Sequence, residues 1–572
     1  MFFENFLLNF FSSFIFLVLI FLSSLQIKYF FKKKNIILNY FEIFAFLISL
    51  YFIIISFGNF FHLGNIQIVL ILLFLLTKIF FLIFFKKKYF FGIIEFFKSQ
   101  KKFNFILFLF FLISILPLSD ADSIASHMYV AKNLFQSGHL NFSESLNIEG
   151  MLYFGNEAIL QISYFLKSDN FGSQLNFISL VVFLASYHKK NSDFRILIFS
   201  APLIIFLIST QKLQLFYGLI FLHLFICLKE NSFEKNLNIL IFLSLLFFYS
   251  SGKLNYVLFS FIIYLYLCIK RFKKIKIIIL QSIFCFALFS LPIVMLKYEV
   301  LSNPIAPFYD KFFLDRENFK AFEFSLRSNA GWYEQIDLKS LLSPFIPLSA
   351  GYLSSGFGLV FLYLILNFKS DKFILFFSYL IIILIIINGQ LIPRYYLEAF
   401  LILAFYTKQN KCINSLCNFQ IFFVLLGSFV FVIFAYFLLL SNNFSKENYQ
   451  KRFAYSYFNS LELNKLNYNV LGYSLDRSSI FFNNNIYSMR LVNSLNSLNL
   501  NYEKNLLNFL KNYNIKYFIY PKHNPPKVLR CIKTKKIKNI DFLIAKRNFF
   551  IDPKKSPQVV SEVIKIKFDK CN

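Results

Sequence analysis

The stretch Pro117-Leu118-Ser119-Asp120-Ala121-Asp122-Ser123 sets two carboxylates two residues apart, directly after a long apolar run. A carboxylate placed there can take a proton from a hydroxyl as that hydroxyl attacks, and only a modest rise in its basicity near a membrane is needed. The structural alternative is that Asp122 or Ser123 caps the next helix while the other carboxylate is solvated. Downstream, Ile124, Met128, Ala131 and Phe135 recur at steps of four, three and four, which predicts an amphipathic helix lying along the interface. His127 rides on that helix, either as a site residue or as an interfacial residue without a role.

The elements that must position these groups are membrane helices. Of 572 residues, 58% are hydrophobic and 15% charged, far from the composition of a soluble domain. Lys and Arg total 59 against 29 Asp and Glu, and the excess lies in short clusters between apolar runs. That pattern excludes a disordered polycation and a soluble nucleic-acid binder. Phe alone accounts for 87 residues, so aromatic stripes are the background of this chain and mark no ligand box.

Apolar runs of roughly 20 residues, the length a spanning helix needs, number about fourteen. They centre near residues 16, 47, 75, 111, 181, 202, 221, 243, 261, 287, 357, 381, 401 and 429. Basic clusters fall on alternate loops (28–34, 86–102, 189–195, 229–235, 270–276, 369–372 and 408–411) and hold 24 Lys and Arg. The opposite short loops hold only Lys212, Lys253 and Arg394. Because cytoplasmic loops collect Lys and Arg, both termini are expected outside the inner (plasma) membrane. The first segment has no basic leader and no small-residue cleavage site, so it reads as an uncleaved helix.

Two outer loops, 120–175 and 297–347, and a tail over 441–572 stand out. In the tail, Val470-Leu471-Gly472-Tyr473 and Ile515 to Tyr520 read as strands, and Leu506, Leu507 and Leu510 give helical spacing over 503–513. The expected fold is therefore an all-α polytopic membrane bundle with a small C-terminal α/β extracytoplasmic domain. Its parts are N-terminal helices over 1–102, a core over 103–440 and the tail over 441–572. Cys227, Cys268, Cys285, Cys412 and Cys417 fall in spans or on the cytoplasmic side and are expected to be inert. Cys531 and Cys571 lie outside, where the compartment permits a disulfide without the spacing demanding one. The spans look almost free of charge, Lys78 being the main exception, which argues against an ion-coupled transporter.

Asp120-Ala-Asp122-Ser-Ile-Ala-Ser-His127, with Gly138-His139-Leu140 after it, resembles the first outer loop of GT-C glycosyltransferases. Asn303-Pro304-Ile-Ala-Pro307-Phe308 is similar to an Asn-Pro-x-x-Pro segment of bacterial members, and Arg394-Tyr395-Tyr396 to their Arg-Tyr motif. The resemblance covers about residues 105 to 520. It departs in having Asp-x-Asp where many members have adjacent acids, so either Asp fits the role of base.

What the resemblance implies is an inverting enzyme that moves a sugar from a polyprenyl-phosphate carrier to a lipid, polysaccharide or protein acceptor on the outer face. Asp120 or Asp122 would be the base, and His127 and Tyr395 would line the substrate site. The leaving phosphate needs cations: Arg394 has the fork geometry for it, and Lys212 or Lys253 would assist unless they are interfacial anchors. Trp332 would stack on sugar or seat at the interface. Two carboxylates suffice for a divalent cation, but no further ligands cluster with them, so no metal or other cofactor is expected. Other readings are an O-antigen polymerase or ligase, a lipid flippase or transporter, and a purely structural membrane protein.

Overall fold

The computed structural model describes residues 6–61, 98–137, 154–301, 341–346, 356–387, 392–472, 486–488, 508–521, 533–543 and 558–567, short gaps within these stretches apart. Asp122, His139, Trp332, Lys78, most of the Asn303 to Phe308 segment, Cys531 and Cys571 lie outside the described residues.

The chain is mostly helical. In the first half run α1 (Phe6–Lys33), α2 (Tyr40–Phe60), α3 (Lys101–Ser114), α4 (Met128–Ser137), α5 (Gly155–Phe165), α6 (Phe171–Tyr187), α7 (Phe194–Ser200) and α8 (Leu203–Ile208). Then come α9 (Gln214–Glu230), α10 (Asn236–Gly252), α11 (Leu254–Lys270), α12 (Ile275–Phe289), α13 (Leu291–Leu301), α14 (Leu359–Leu366), α15 (Lys372–Ile387), α16 (Leu397–Tyr406) and α17 (Lys411–Leu440). Among the described residues, α2 and α17 are long and apolar enough to cross a membrane, and α12 with α13 makes a third candidate bent by 47°. Several other apolar helices are shorter.

The apolar runs therefore do not map one to one onto full-length helices, for local reasons. The run around 202 divides into α7 and α8 at Ala201-Pro202, because proline has no amide hydrogen and its ring collides with the preceding turn. In the run around 357 the described helix begins at Leu359, directly after Gly358 at φ +82°, a conformation that favours glycine. The run around 401 enters through a 3₁₀ turn at Pro393–Tyr396. The run around 75 lies outside the described residues.

The basic loops meet at one end of the bundle. Lys229 Nζ donates to Asp371 Oδ2 at 2.7 Å, Lys190 pairs with Glu230, and Lys270 donates to the carbonyls of Leu228 and Lys229. The loops bearing Asp120, Gln211 and Asn156 meet at the other end, joined through Ser123 and Leu213.

The helix predicted to lie along the interface is instead packed inside the protein. A π-helical turn (Ser123–His127) leads into α4, and Ile124, Met128 and Ala131 of its apolar stripe are fully buried. Its partner is α5: the Tyr164 hydroxyl donates to the Met128 carbonyl at 2.7 Å, and the Phe135 and Tyr164 rings stack 6.1 Å apart. Ser123 is itself capped: Asp120 Oδ2 accepts from Ser123 N at 3.0 Å and Ser123 Oγ at 2.7 Å, while the other expected cap, Asp122, lies outside the described residues.

The tail begins with α18 (Lys446–Phe453) and α19 (Tyr457–Asn464), followed by a mixed five-stranded sheet in the order β2-β1-β3-β5-β4. β1 (Val470–Gly472) is parallel to β2 (Ile486–Ser488) and β3 (Tyr517–Pro521). β5 (Gln558–Lys567) runs antiparallel between β3 and β4 (Lys533–Leu543). The two expected strands correspond to β1 and β3. Of the expected helix over 503–513 only the end around Leu510 is described; there Asn514 takes a left-handed φ of 48° and the Ile515 amide returns to the Leu510 carbonyl at 2.9 Å.

A buried ion pair ties tail to bundle. Lys446 Nζ donates to Asp169 Oδ1 at 2.7 Å, and both side chains are at most 4% exposed. The second oxygen of Asp169 takes the Leu118 amide at 3.4 Å, and Tyr449 OH lies 3.4 Å from Ser119 Oγ, so the tail grips the segment that carries Asp120. Removing one member of such a pair strands a buried charge and costs about 3–5 kcal/mol, whereas replacing both with apolar residues costs far less. Lys446→Met alone is expected to lower the unfolding temperature of the full chain in detergent, and adding Asp169→Leu to recover most of the loss.

Candidate functional site

Four chain breaks build the end of the bundle that carries Asp120: the Ile115–Asp120 segment, the turn before α6, the loop between α8 and α9, and the junction of α10 with α11. Each break frees backbone groups that an apolar interior must satisfy. Asn176 does so for the loop before α9: its Nδ2 donates to the carbonyls of Leu207 at 2.9 Å and Lys212 at 2.7 Å, and its Oδ1 accepts from Phe216 N at 3.1 Å. Asn170 Nδ2 donates to the Ile115 carbonyl at 2.9 Å. Gln211 Oε1 accepts from Gly172 N at 2.6 Å, while the Gln211 amide donates to Ser123 Oγ at 3.2 Å. A Cβ at Gly172 would fall 2.8 Å from the Gln211 carbonyl oxygen, so only glycine allows this approach.

These bonds fix the ionisable groups. Asp120 is 7% exposed and Lys212 is 1% exposed, with Lys212 Nζ at 3.8 Å from Asp120 Oδ2. Lys212 is thus no membrane-surface anchor, since a lysine that reaches for the interface keeps its amine in water. His127 Nδ1 lies 2.5 Å from Glu157 Oε1. Glu157 Oε2 accepts from Phe154 N at 2.9 Å, its Oε1 accepts from Asn156 Nδ2 at 3.1 Å, and Asn156 Oδ1 accepts from Leu213 N at 3.0 Å.

The electrostatics follow from burial. Burial pulls His127 below the ordinary imidazole value; the Glu157 carboxylate opposes this, while Lys253 and Lys212 add to it. For Glu157, burial alone would push the carboxyl up, but its bonds from His127 and Asn156 outweigh that and hold it low. Lys253 is pushed down to about 7, first by burial and then by the charges of Arg394 and Lys212. Arg394 stands with its guanidinium carbon 5.5 Å from the Tyr395 ring centre. Among the described candidates, Asp120, His127, Lys212, Lys253, Arg394 and Tyr395 thus share one end of the bundle.

Three residues at this end escape a reading of motifs. Glu157 heads an apolar run three residues after Phe154. Lys297 is 2% exposed, with its amine 3.5 Å from the centre of the Phe154 ring. Glu398, also buried, accepts from Tyr249 OH at 3.1 Å. The signal that finds all three is a single charge inside an apolar run, which is costly unless it serves a purpose.

The expectation of nearly charge-free spans is therefore corrected. At the opposite end Glu42 and His223 are also buried, Glu42 Oε1 lying 3.9 Å from His223 Nε2 and Tyr187 OH 2.6 Å from His223 Nδ1. Glu42 and Tyr187 line a polar cavity of about 250 Å³ together with Lys28, Lys190 and Glu230. Such charges escape a hydropathy scan because each finds polar partners inside the bundle, so one ionisable residue need not interrupt the run.

Beside the cluster around Asp120 lies an apolar cavity of about 350 Å³, walled by Phe154, Ser251, Phe261, Phe286, Ile293 and Lys297 among others. Phe154 and Ser251 border the ionisable cluster as well: Phe154 donates to Glu157, and a Cβ on Gly155 would touch Ser251 Oγ at 2.8 Å. Among the described residues no group of three or more His, Cys, Asp or Glu could hold a metal ion.

Set against known protein families, curated proteins and solved structures, the chain matches none.

Asn176→Leu keeps the side-chain size and strips three buried backbone groups of their partners, at about 1–3 kcal/mol each. The variant is expected to melt well below the wild type; a melting temperature unchanged from the wild type would contradict the bracing role assigned to Asn176.

Proposed function

We propose that the protein is a membrane glycosyltransferase that moves a sugar from a polyprenyl-phosphate carrier to a hydroxyl of an envelope acceptor on the outer face. The observation that carries this reading is the meeting of an apolar cavity with a cluster of cations. Lys297 lines the cavity, Ser251 two residues before Lys253 lines it too, and Lys253 feels the charges of both Arg394 and Lys212. A prenyl chain suits the cavity walls. A phosphate suits the cations, Arg394 offering a two-pronged contact and the lysines point charges.

The chemistry is a single displacement. The acceptor oxygen bonds to the anomeric carbon as the bond from that carbon to the phosphate oxygen breaks. The electron pair leaves with polyprenyl phosphate, and the hydroxyl proton passes to a base of the first outer loop. Cations that meet charge developing on the leaving oxygen lower the barrier because they are already oriented. In this reading Lys212, Lys253 and Arg394 have that role, His127 and Tyr395 border the substrate, and Asp120 or Asp122 belongs to the loop that presents the acceptor. About fourteen spans, outer-facing termini and an extracytoplasmic tail complete the picture, and no metal or other cofactor is invoked.

A second reading, a lipid flippase or transporter, is favoured by one observation: buried ionisable residues and a polar cavity also occur at the opposite end. Comparing lipid-linked sugar pools and envelope glycans in cells carrying the wild type, Arg394→Ala or no protein separates the two. Glycosyl transfer predicts that the null and Arg394→Ala both lose a glycan and accumulate its polyprenyl-phosphate-sugar at the outer face. Accumulation confined to the inner face favours the flippase.

Lys253 makes the reading sensitive to pH. Its amine is charged below about 7 and loses that charge above it, so donor binding should weaken as pH rises from 6 to 8. The loss of one charge-assisted contact is worth about ten-fold in KM. Lys253→Met should flatten this dependence, because Arg394 stays charged throughout.

A further inference from the structure

We propose that His127, oriented by Glu157, is the general base that takes the acceptor's proton, and that Asp120 serves to hold Lys212 and the loop in place. The inference rests on the glycosyl-transfer reading above and names the proton acceptor within it.

Asp120 is committed elsewhere. Its Oδ2 accepts from the Ser123 amide and hydroxyl, faces Lys212 Nζ at 3.8 Å, and belongs to a side chain that is almost wholly buried. Its main-chain carbonyl holds the Ile124 amide at 3.0 Å. These are the contacts of a cap and a lysine anchor.

His127 has the opposite arrangement. Glu157 takes the Nδ1 side of the ring at 2.5 Å, and no hydrogen bond to Nε2 occurs among the described residues. The side chain is 17% exposed, so the ring is not sealed in the interior. Asn156 Nδ2 is 3.0 Å from the same Nδ1 and 3.1 Å from Glu157 Oε1. With the Nδ1 proton directed at the carboxylate, the Asn156 donor serves Oε1, and the lone pair is left on Nε2. A buried carboxylate that fixes the tautomer of an imidazole and then stabilises the imidazolium is an established way to build a base. Glu157 is itself held by Phe154 N and, through Asn156, by Leu213 N, the residue after Lys212.

The proton balance is complete. The acceptor hydroxyl gives its proton to Nε2 as its oxygen bonds to the anomeric carbon, and the imidazolium is paired with Glu157 while polyprenyl phosphate departs toward the cations. Burial keeps the ring neutral, and so competent as a base, at neutral pH. Acidification should stop turnover with a limb below the ordinary imidazole value of 6.5.

The test uses the full chain in lipid nanodiscs, fed with lipid-linked sugars extracted from cells lacking the protein. His127→Gln is expected to lower kcat by about 10²–10³-fold with donor KM little changed. Glu157→Gln should lower kcat less and move the acidic limb to lower pH, because the imidazolium loses its counter-charge. Asp120→Asn should act mainly on donor KM through Lys212. Nitrogen NMR of ¹⁵N-histidine-labelled protein, with the His127 signal assigned through His127→Gln, should show a neutral ring protonated at Nδ1 at pH 7.

A His127→Gln variant within a few-fold of wild-type kcat, with Asp122→Asn or Asp120→Asn inactive, overturns the proposal and leaves glycosyl transfer standing. An imidazolium or an Nε2-protonated ring at pH 7 also overturns it, whatever the activity. If the wild type transfers no sugar from the extract and null cells accumulate none, glycosyl transfer fails and the assignment of His127 falls with it.

Discussion

A helix that stops inside an apolar bundle leaves amides and carbonyls that water does not reach, and each one left alone costs free energy comparable to a lost hydrogen bond. This constraint shapes the end of the molecule that carries Asp120. Asn170, Asn176, Ser173 and Gln211 are buried where α3, α5 and α8 end, and all of them bond to main chain. They brace the loop that carries Lys212 and the segment that carries Asp120 against α6. The placement of the ionisable groups follows from the satisfaction of the backbone.

Once braced, the loops hold charges close together at little exposure. Lys253 feels the charges of both Arg394 and Lys212, with Glu157 and Glu398 opposing them, and Lys212 faces Asp120 at 3.8 Å. Lys253 is driven down to about 7, first by burial and then by the two neighbouring cations. A guanidinium such as that of Arg394 stays protonated where a lysine yields its proton.

The tail is part of the same construction. Lys446 reaches Asp169, and Asp169 holds the Leu118 amide two residues before Asp120. A charge buried on both sides is poor evidence for added stability, but it specifies one docking position strictly, since any displacement exposes two unpaired ions to an apolar interior. The loop with Asp120 is thereby clamped from the α6 side and from the tail.

How much of this was legible follows from the kind of information each feature needs. The apolar runs and the alternation of basic loops are properties of composition along the chain; they were enough to expect helices, a membrane and two unlike ends, and to select Asp120, His127, Lys212, Lys253 and Arg394 for the end poor in basic loops. The strands β1 and β3 were legible from local pattern as well. Helix lengths were not, because Pro202 and Gly358 act through backbone geometry that hydropathy does not register. The burial of α4 was not either, because an amphipathic stripe fits a membrane surface and a neighbouring helix equally well, and only the position of α5 decides between them. The pairing of His127 with Glu157 joins residues thirty apart through a loop. Sequence determined which side chains carry charge and toward which end they lie; tertiary structure decided which of them touch, because contact between distant residues depends on how helix ends are satisfied and no local pattern encodes that.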